Sequence, residues 1–458
     1  MDAIIDLPTF KQLAEQGEFD TVIMAAPDMQ GRLQGKRVMP RYFLDSISNG
    51  ALEGCAYLLA TDIECQPVPG YAFMSLDQGF GDFALKPDLS TLRRATWQDK
   101  AAIVLCDVEL STHQPARVAP RTILKTQLER LQAHGLSAWG ATELEFILFK
   151  DSYESAWDKA YRGLTPANQY NNDYSILGTA RVEPLLRTIR NAMQAAGIEV
   201  ENSKGECNLG QHEINFRYGP VLTTCDNHVV YKEAAKEIAA QAGQSLTFMA
   251  KFNEREGNSC HAHLSLRNAA NEPVFVGADG HSPSELFQKF LAGLLRHAAE
   301  LMVFFAPNIN SYKRYATNSF APTTLAWGMD NRTCAFRVLG HGPSLHVENR
   351  IPGGDVNPYL ALAGMIAAGL AGIENDYPPE PVFRGNAYES NLPRVPHSLL
   401  DAAALFARSD FAKAAFGADV VAHYTNMAQV ELDAFSATVT DWERFRSFER
   451  MKTFDKLK

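Results

Sequence analysis

Ala141-Thr-Glu143-Leu-Glu145-Phe-Ile-Leu-Phe149 sets two carboxylates either side of a leucine in an otherwise apolar run. Residues two apart on a β-strand point to the same face, so the stretch reads as a strand with Glu143 and Glu145 side by side. Two further stretches share the pattern. His261 and His263 flank Ala262 in Cys260-His-Ala-His-Leu-Ser-Leu266, and Glu348 and Arg350 flank Asn349 in His346-Val-Glu-Asn-Arg-Ile351. Any one of them could be the water-facing side of an antiparallel sheet. All three, with Glu206 and Glu213, fit that reading poorly, because acids and imidazoles at the centres of apolar strands are costly without partners. Glu143, Glu145, Glu206, Glu213, Glu348 and His261 offer carboxylates and one imidazole. Carboxylates that converge raise each other's pKa unless cations neutralise them, and oxygen ligands with a single nitrogen suit Mg²⁺ or Mn²⁺. The expectation is a divalent metal cluster carried by a sheet.

Four arginines stand close in sequence to these acids: Arg314 in Asn-Ser-Tyr-Lys-Arg, Arg332 in Asp-Asn-Arg, Arg337 in Ala-Phe-Arg-Val, and Arg350. Each alone is most simply a surface ion pair. Together with acidic metal ligands they suit phosphoryl transfer, where metals bridge phosphate oxygens and guanidinium forks stabilise the developing charge. A carboxylate substrate activated by ATP would use both sets. Two phosphate-loop look-alikes do not qualify. Gly31-Arg-Leu-Gln-Gly35-Lys36-Arg37 is one residue short of the P-loop spacing and lacks the following Ser/Thr, so it reads as a turn; Gly353-Gly354-Asp355 is no dinucleotide fingerprint.

The 458 residues carry a net charge of −10, with 46% apolar and 21% charged side chains. That is an ordinary globular composition, long enough for two domains. The acidic balance, with a pI near 5.7, argues against nucleic acid or an anionic membrane as partner and for small molecules. No apolar run is long enough to span a membrane, and Met1-Asp-Ala-Ile-Ile-Asp6 lacks the basic flank and apolar core of a secretion signal, so a cytoplasmic location is expected. Seven cysteines with no Cys-x-x-Cys pair suggest neither disulfides nor zinc. They read as reduced packing residues, and Cys260 faces away from His261.

Short apolar runs broken by Gly and Pro make residues 1–114 a small β-rich domain. Ser111–Pro120 reads as a linker into a larger domain over 115–458. Apolar periodicity predicts helices over Arg121–His134, Val182–Ala196, Asp226–Ala242, Pro283–Ala306 and Asn357–Ile373, which makes the class α+β or mixed α/β.

The motifs resemble, in order and over nearly the whole chain, those of the type I glutamine synthetase family. They are Glu143-Leu-Glu145, Glu206-Cys-Asn-Leu-Gly-Gln-His-Glu213, Thr247-Phe-Met-Ala-Lys251, Gly257-Asn-Ser-Cys-His261-Ala-His263-Leu-Ser265, Asn310-Ser-Tyr-Lys-Arg314, Asn331-Arg332, Arg337 and Glu348-Asn-Arg350-Ile-Pro-Gly-Gly-Asp-Val-Asn357. The resemblance implies an α+β fold: a small β-grasp N-terminal domain and a larger catalytic domain whose curved antiparallel sheet is flanked by helices. It further implies a homo-oligomer, a dodecamer of two hexameric rings, with active sites between neighbours. Glu145, Glu206 and Glu213 look like ligands of one metal, and Glu143, His261 and Glu348 like those of a second that also meets the ATP phosphates. Gly257, Arg314 and Arg350 match glutamate-binding positions. Arg332 and Arg337 match those that handle the transferred phosphate and ATP, and Tyr218, His263 and Ser265 fall where the nucleotide is bound. The implied catalytic pair is Arg332 and Arg314, and the implied chemistry is phosphorylation of the L-glutamate side chain by ATP followed by attack of a nitrogen nucleophile.

The sequence departs from the family where ammonium is handled. Family members resemble one another in an Asp-Gly-Ser-Ser motif and in a flap glutamate. Here the flap reads Arg314-Tyr-Ala-Thr-Asn-Ser-Phe320-Ala-Pro322, with Phe320 where the acid is expected, and the first domain offers only Glu53-Gly-Cys-Ala. Tyr174 is the surviving neighbour, and Glu256 stands where the family's glutamate-binding Asn is expected. An aromatic ring neither lowers the cost of desolvating ammonium nor takes its proton. The expected enzyme is therefore a glutamate–amine ligase with an amine pocket at Phe320, Tyr174 and Glu53, taking a polyamine, ethanolamine, an alkylamine or an aniline. The alternative is an ammonia-using glutamine synthetase with a rewired pocket. Tyr388 falls near a tyrosine that some type I enzymes adenylylate, and carries no regulatory reading here.

Overall fold

Two sheets organise the chain in the computed structural model, which describes residues 3–49, 52–74 and 79–449. Met1 and Asp2, on which part of the N-terminal reading rests, lie outside the described residues. The first sheet has the strand order Leu33–Val38, Thr21–Pro27, Ala101–Leu110, Asp82–Pro87, Leu52–Cys55, with Arg93–Arg94 pairing to Ala101–Leu110. Thr21–Pro27 runs parallel to Ala101–Leu110 and the other pairings are antiparallel. Helices Leu7–Glu15 and Pro40–Asn49 bury Phe10 and Phe43 beside this sheet, with ring centroids 5.3 Å apart. The stretch Gly31–Arg37 is a hairpin: Gly31 takes φ +76° in the turn and Leu33 onward forms a strand. A phosphate loop is thereby excluded there.

The second sheet has nine strands, in the order Trp327–Met329, Phe336–Leu339, His346–Asn349, Cys260–Asn268, Leu136–Phe149, Gln211–Phe216, Val200–Gly205, with two short strands joined to Leu136–Phe149. Its backbone is the long strand Leu136–Phe149, paired antiparallel with both Cys260–Asn268 and Gln211–Phe216. Helices back it, the most deeply buried being Pro358–Glu374, where Asn357 caps the N-terminus through Tyr359 N. Asn357 Nδ2 also donates to the carbonyls of Asp28 and Met29, tying the first-sheet hairpin to this helix.

The expected helices are found at Pro120–Ala133, Glu183–Ala195, Val221–Gln241 and Pro358–Glu374. The expected Pro283–Ala306 helix is instead Glu285–His297 followed by a 3₁₀ turn and a short helix, Met302–Phe305. All seven cysteines are free. Among the described residues no helix is long and apolar enough to cross a membrane.

Arg121 sits at the junction of the two sheets, 2% exposed, with its guanidinium 2.6 Å from Asp88, 2.5 Å from Asp107 and 3.0 Å from Asp226. Tyr359 donates its hydroxyl to Asp226 at 2.6 Å. One buried cation thus joins the first sheet to helices Val221–Gln241 and Pro358–Glu374. Removing it strands the buried Asp226, so Arg121→Met is expected to destabilise the fold by about 3–5 kcal/mol, read as a lower midpoint in urea.

Candidate active site

Strand register, more than any single residue, builds the site. Glu145 lies directly opposite Glu213, which lies opposite Lys204. Glu143 pairs with His261 on one side and Asn215 on the other. His263 pairs with Glu348, which pairs with Arg337. Since side chains alternate across a sheet, these three rows share one face.

Like charges directly opposite on neighbouring strands destabilise a sheet. Glu145, Glu206 and Glu213 nevertheless bring ligand oxygens within 4.8 Å of one another. Burial, then Glu206 and Glu213, pushes the Glu145 carboxyl well above its ordinary value. Burial, then Glu143 and Glu206, raises Glu213 to about 7. Glu145 is held by its Oε2, which accepts from Ser259 N at 2.8 Å and from Gln211 Nε2 at 2.9 Å. Such a set fits a hard divalent cation, whose charge removes the repulsion.

A second group is formed by Glu143, Glu348 and His263, again within 4.8 Å. The expectation placed His261 with these acids and reserved His263 for the nucleotide. In the structure His261 Nδ1 lies 3.2 Å from Glu143 and 3.3 Å from Glu348, while His263 Nε2 lies 3.2 Å from the other Glu143 oxygen. Both imidazoles therefore flank Glu143. Burial and the nearby Arg350 lower His261 to about 4, keeping it neutral as a ligand must be. Its Nε2 is buried with no hydrogen-bond partner among the described residues. Glu348, 1% exposed, is gripped by Arg350 at 2.6 Å and Arg337 at 3.2 Å. Burial opposes its charge, but His261, Arg350 and His263 hold its pKa below the ordinary value.

The arginines divide. Arg314 is buried, donating to Ile351 O and to Ser259 Oγ, both at 2.8 Å. A Cβ on Gly257 would stand 2.7 Å from Arg314 Cγ and 2.4 Å from Ala250 O, so only glycine lets this guanidinium pass. Arg350 reaches from Glu348 to the flap, where its Nη2 donates to Phe320 O at 3.4 Å, and its buried Nε has no partner among the described residues. Arg337 also ion-pairs Asp330. Arg332 is exposed in the next turn, where it contributes after Arg337 to lowering the Asp330 pKa, and it does not join the carboxylate rows.

A cavity of about 700 Å³ opens from Glu143, lined by Tyr218, His263 and Ser265 as expected, and also by Trp139, Arg267 and His346. The Arg267 guanidinium lies 4.4 Å over the Trp139 ring. Of the expected amine-pocket residues, Phe320 is 56% exposed at φ +58° and Tyr174 is 71% exposed at φ +54°. Left-handed backbone at two aromatic residues is uncommon and marks constrained loops. Glu53 lies in the first sheet, its carbonyl accepting from Lys36 Nζ. Tyr388 is buried and donates to Ala321 O at 3.1 Å, so it anchors the flap.

Lys204, Gln211 and Ser259 carry weight that the sequence reading leaves unassigned. A signal for Lys204 was available, since it precedes Glu206 by the same two-residue step as the other same-face pairs.

Without bound cations the acid rows make stability depend on pH. A carboxyl raised from about 4.5 to about 7, as Glu213 is, favours folding below the lower value and loses that contribution as pH rises through the upper one. Metal-free protein should therefore lose melting temperature between pH 5 and pH 8. Mg²⁺ or Mn²⁺ should raise it more at pH 8 than at pH 5, as differential scanning fluorimetry would show; equal shifts at both would contradict a carboxylate site.

The glutamine synthetase catalytic-domain model matches residues 117–447. The chain is 60% identical over 440 residues to a γ-glutamylethanolamide synthetase of Streptomyces coelicolor, covering 96% of this chain and 95% of that protein. It is 37% identical over 442 residues to a glutamate–isopropylamine ligase of a Pseudomonas species, covering 95% and 96%. A solved GmaS/ADP complex superposes with a TM-score of 0.84 at 26% identity, covering 95% of this chain and 98% of that one. A family model covering most of the chain and a relative 60% identical along nearly its whole length show that the chain belongs to the glutamine synthetase family.

Proposed function

We propose that this chain is an ATP-dependent ligase that joins the γ-carboxylate of L-glutamate to a small organic amine through a γ-glutamyl phosphate, giving a γ-glutamylamide. The observation that carries the proposal is Phe320: an exposed aromatic ring at the flap, beside an otherwise complete set of acids and arginines. A flap carboxylate would bind ammonium as a cation; a ring favours an amine with its own carbon tail. The relatives that make γ-glutamylethanolamide and ligate isopropylamine support the reading, and a short hydroxylated amine such as ethanolamine is the first substrate to try.

In this reading two divalent ions are held, one by Glu145, Glu206 and Glu213, the other by Glu143, Glu348 and the His261/His263 pair. Bound there, they would supply Lewis acidity and a template for in-line phosphoryl transfer. Arg314 and Arg350 hold glutamate, with Gly257 giving Arg314 its room. ATP occupies the cavity at Trp139, Tyr218, His263 and Ser265, with Arg337 and Arg332 toward the phosphates. Glu53 would reach an active site only from a neighbouring copy, which is why a homo-oligomer, with residues 1–114 forming the domain that reaches across, belongs to the proposal.

The test supplies purified protein with glutamate, ATP, Mg²⁺ or Mn²⁺ and a panel of amines, following phosphate release and identifying products by mass spectrometry. Ethanolamine or another organic amine is expected to exceed ammonium in kcat/KM. Ammonium exceeding every organic amine would overturn the reading in favour of glutamine synthesis.

A further inference from the structure

Lys204 is the cation paired with the Glu145, Glu206 and Glu213 group, as Arg337 and Arg350 are paired with Glu348. Its ammonium ion-pairs with Glu206, lies 3.7 Å from Asp173 Oδ1 and sits 4.5 Å over the Tyr174 ring. Two carboxylates and an aromatic face are what a small free ammonium ion would seek. The cage is constructed: Lys204 stands opposite Glu213 in the sheet, Tyr174 is fixed at φ +54°, and Tyr174 N donates to Gly205 O. The lysine side chain is only 22% exposed.

We infer that Lys204 is a specificity-determining residue that fills this cation cage with its own ammonium and so denies it to free ammonium. Ammonium has no tail, and a cation cage is its main source of binding energy. An organic amine loses the same contact but keeps the tail contacts that the Phe320 side offers. Filling the cage therefore penalises ammonium more than the larger amine, discrimination by occupation rather than by added affinity. This rests on the proposed amine ligase reading, and it adds to the missing flap acid a second, separate device against ammonium. Lys204 contacts one oxygen of Glu206 and leaves the other for an ion.

The test compares wild type, Lys204→Met and Lys204→Arg as full-length enzymes with Mg²⁺-ATP, measuring kcat/KM for ammonium and for ethanolamine. Lys204→Met keeps the stem but empties the cage of charge. It is expected to raise the ammonium-to-ethanolamine ratio by about tenfold or more, mainly through a lower KM for ammonium. Lys204→Arg, still a cation, is expected to keep the wild-type ratio. An unchanged ratio in Lys204→Met, or a parallel loss with both amines, would overturn the inference and leave Lys204 a neutraliser of Glu206. Should Lys204→Met not fold, the wild type decides: ammonium is expected not to compete with ethanolamine, and competitive inhibition by ammonium in the range of ethanolamine's own KM overturns the inference. The wild-type preference itself tests the ligase reading separately, since that reading fails if ammonium is the better substrate before any substitution.

Discussion

Glu145→Gln is expected to cost on the order of 10³-fold or more in kcat, about 4 kcal/mol of transition-state stabilisation, while making the metal-free protein more stable. The opposition follows from the register. Glu145 faces Glu213 across the strands, and with Glu206 the three carboxylates hold one another's pKa up. An amide at 145 removes one of the converging charges. Its carbonyl oxygen can take the donors that Oε2 now accepts, Ser259 N and Gln211 Nε2. Its NH₂ would then face Glu206 and Glu213 as a donor instead of a like charge. In the proposed two-ion reading a ligand oxygen is lost, however, and an amide is a poor partner for a hard divalent ion compared with a carboxylate. Thermal melts in EDTA and phosphate release with saturating Mg²⁺ measure the two halves. A residue that served only the fold would lose stability and activity together; a residue kept for a site trades one for the other.

The acid rows were legible because side chains on a strand repeat every two residues. Glu143, Glu145, His261, His263 and Glu348 could be placed on faces without knowing which strand lies beside which. Pairing could not be read that way. Lys204 becomes a neighbour of Glu213 only once Val200–Gly205 is docked on Gln211–Phe216 as an edge strand, and nothing in its local sequence sets that register. The same gap explains His263, whose distance to Glu143 depends on how Cys260–Asn268 slides along Leu136–Phe149.

Helices were legible where an apolar stripe runs unbroken, as in Pro358–Glu374. They blurred where tertiary contact decides: Val221–Gln241 begins before Asp226, with Val221, Thr224 and Cys225 of its first turns buried. The Glu285–His297 helix is interrupted by a 3₁₀ turn at Ala299–Leu301 within an apolar run. Helices Leu7–Glu15 and Pro40–Asn49 lie in a segment whose turns suggested only strands.

Arg350→Lys is expected to lower kcat/KM for glutamate about 10²-fold and to weaken amine binding at the same time, although the charge is kept. The arginine does three things from one plane. Nη1 grips Glu348 at 2.6 Å, Nη2 holds the Phe320 carbonyl at 3.4 Å, and Nε is buried with no partner among the described residues, a donor free for the proposed glutamate. A lysine ammonium is a point charge on a flexible stem and cannot span Glu348 and the flap together. If it stays on Glu348, the flap is released; if it follows the flap, Glu348 keeps Arg337 alone. Either way the buried donor at Nε disappears, and a charged hydrogen bond of that kind is worth about 1.5–3 kcal/mol, in line with the loss expected. Phe320→Ala separates the two roles, because it removes the ring and leaves the carbonyl. That variant is expected to raise KM for the organic amine while leaving KM for glutamate within about twofold, since side chain and backbone contacts are distinct. Steady-state kinetics with each substrate varied in turn would show the split. If Arg350→Lys changed amine KM but not glutamate KM, Arg350 would serve the flap alone and the glutamate site would rest on Arg314.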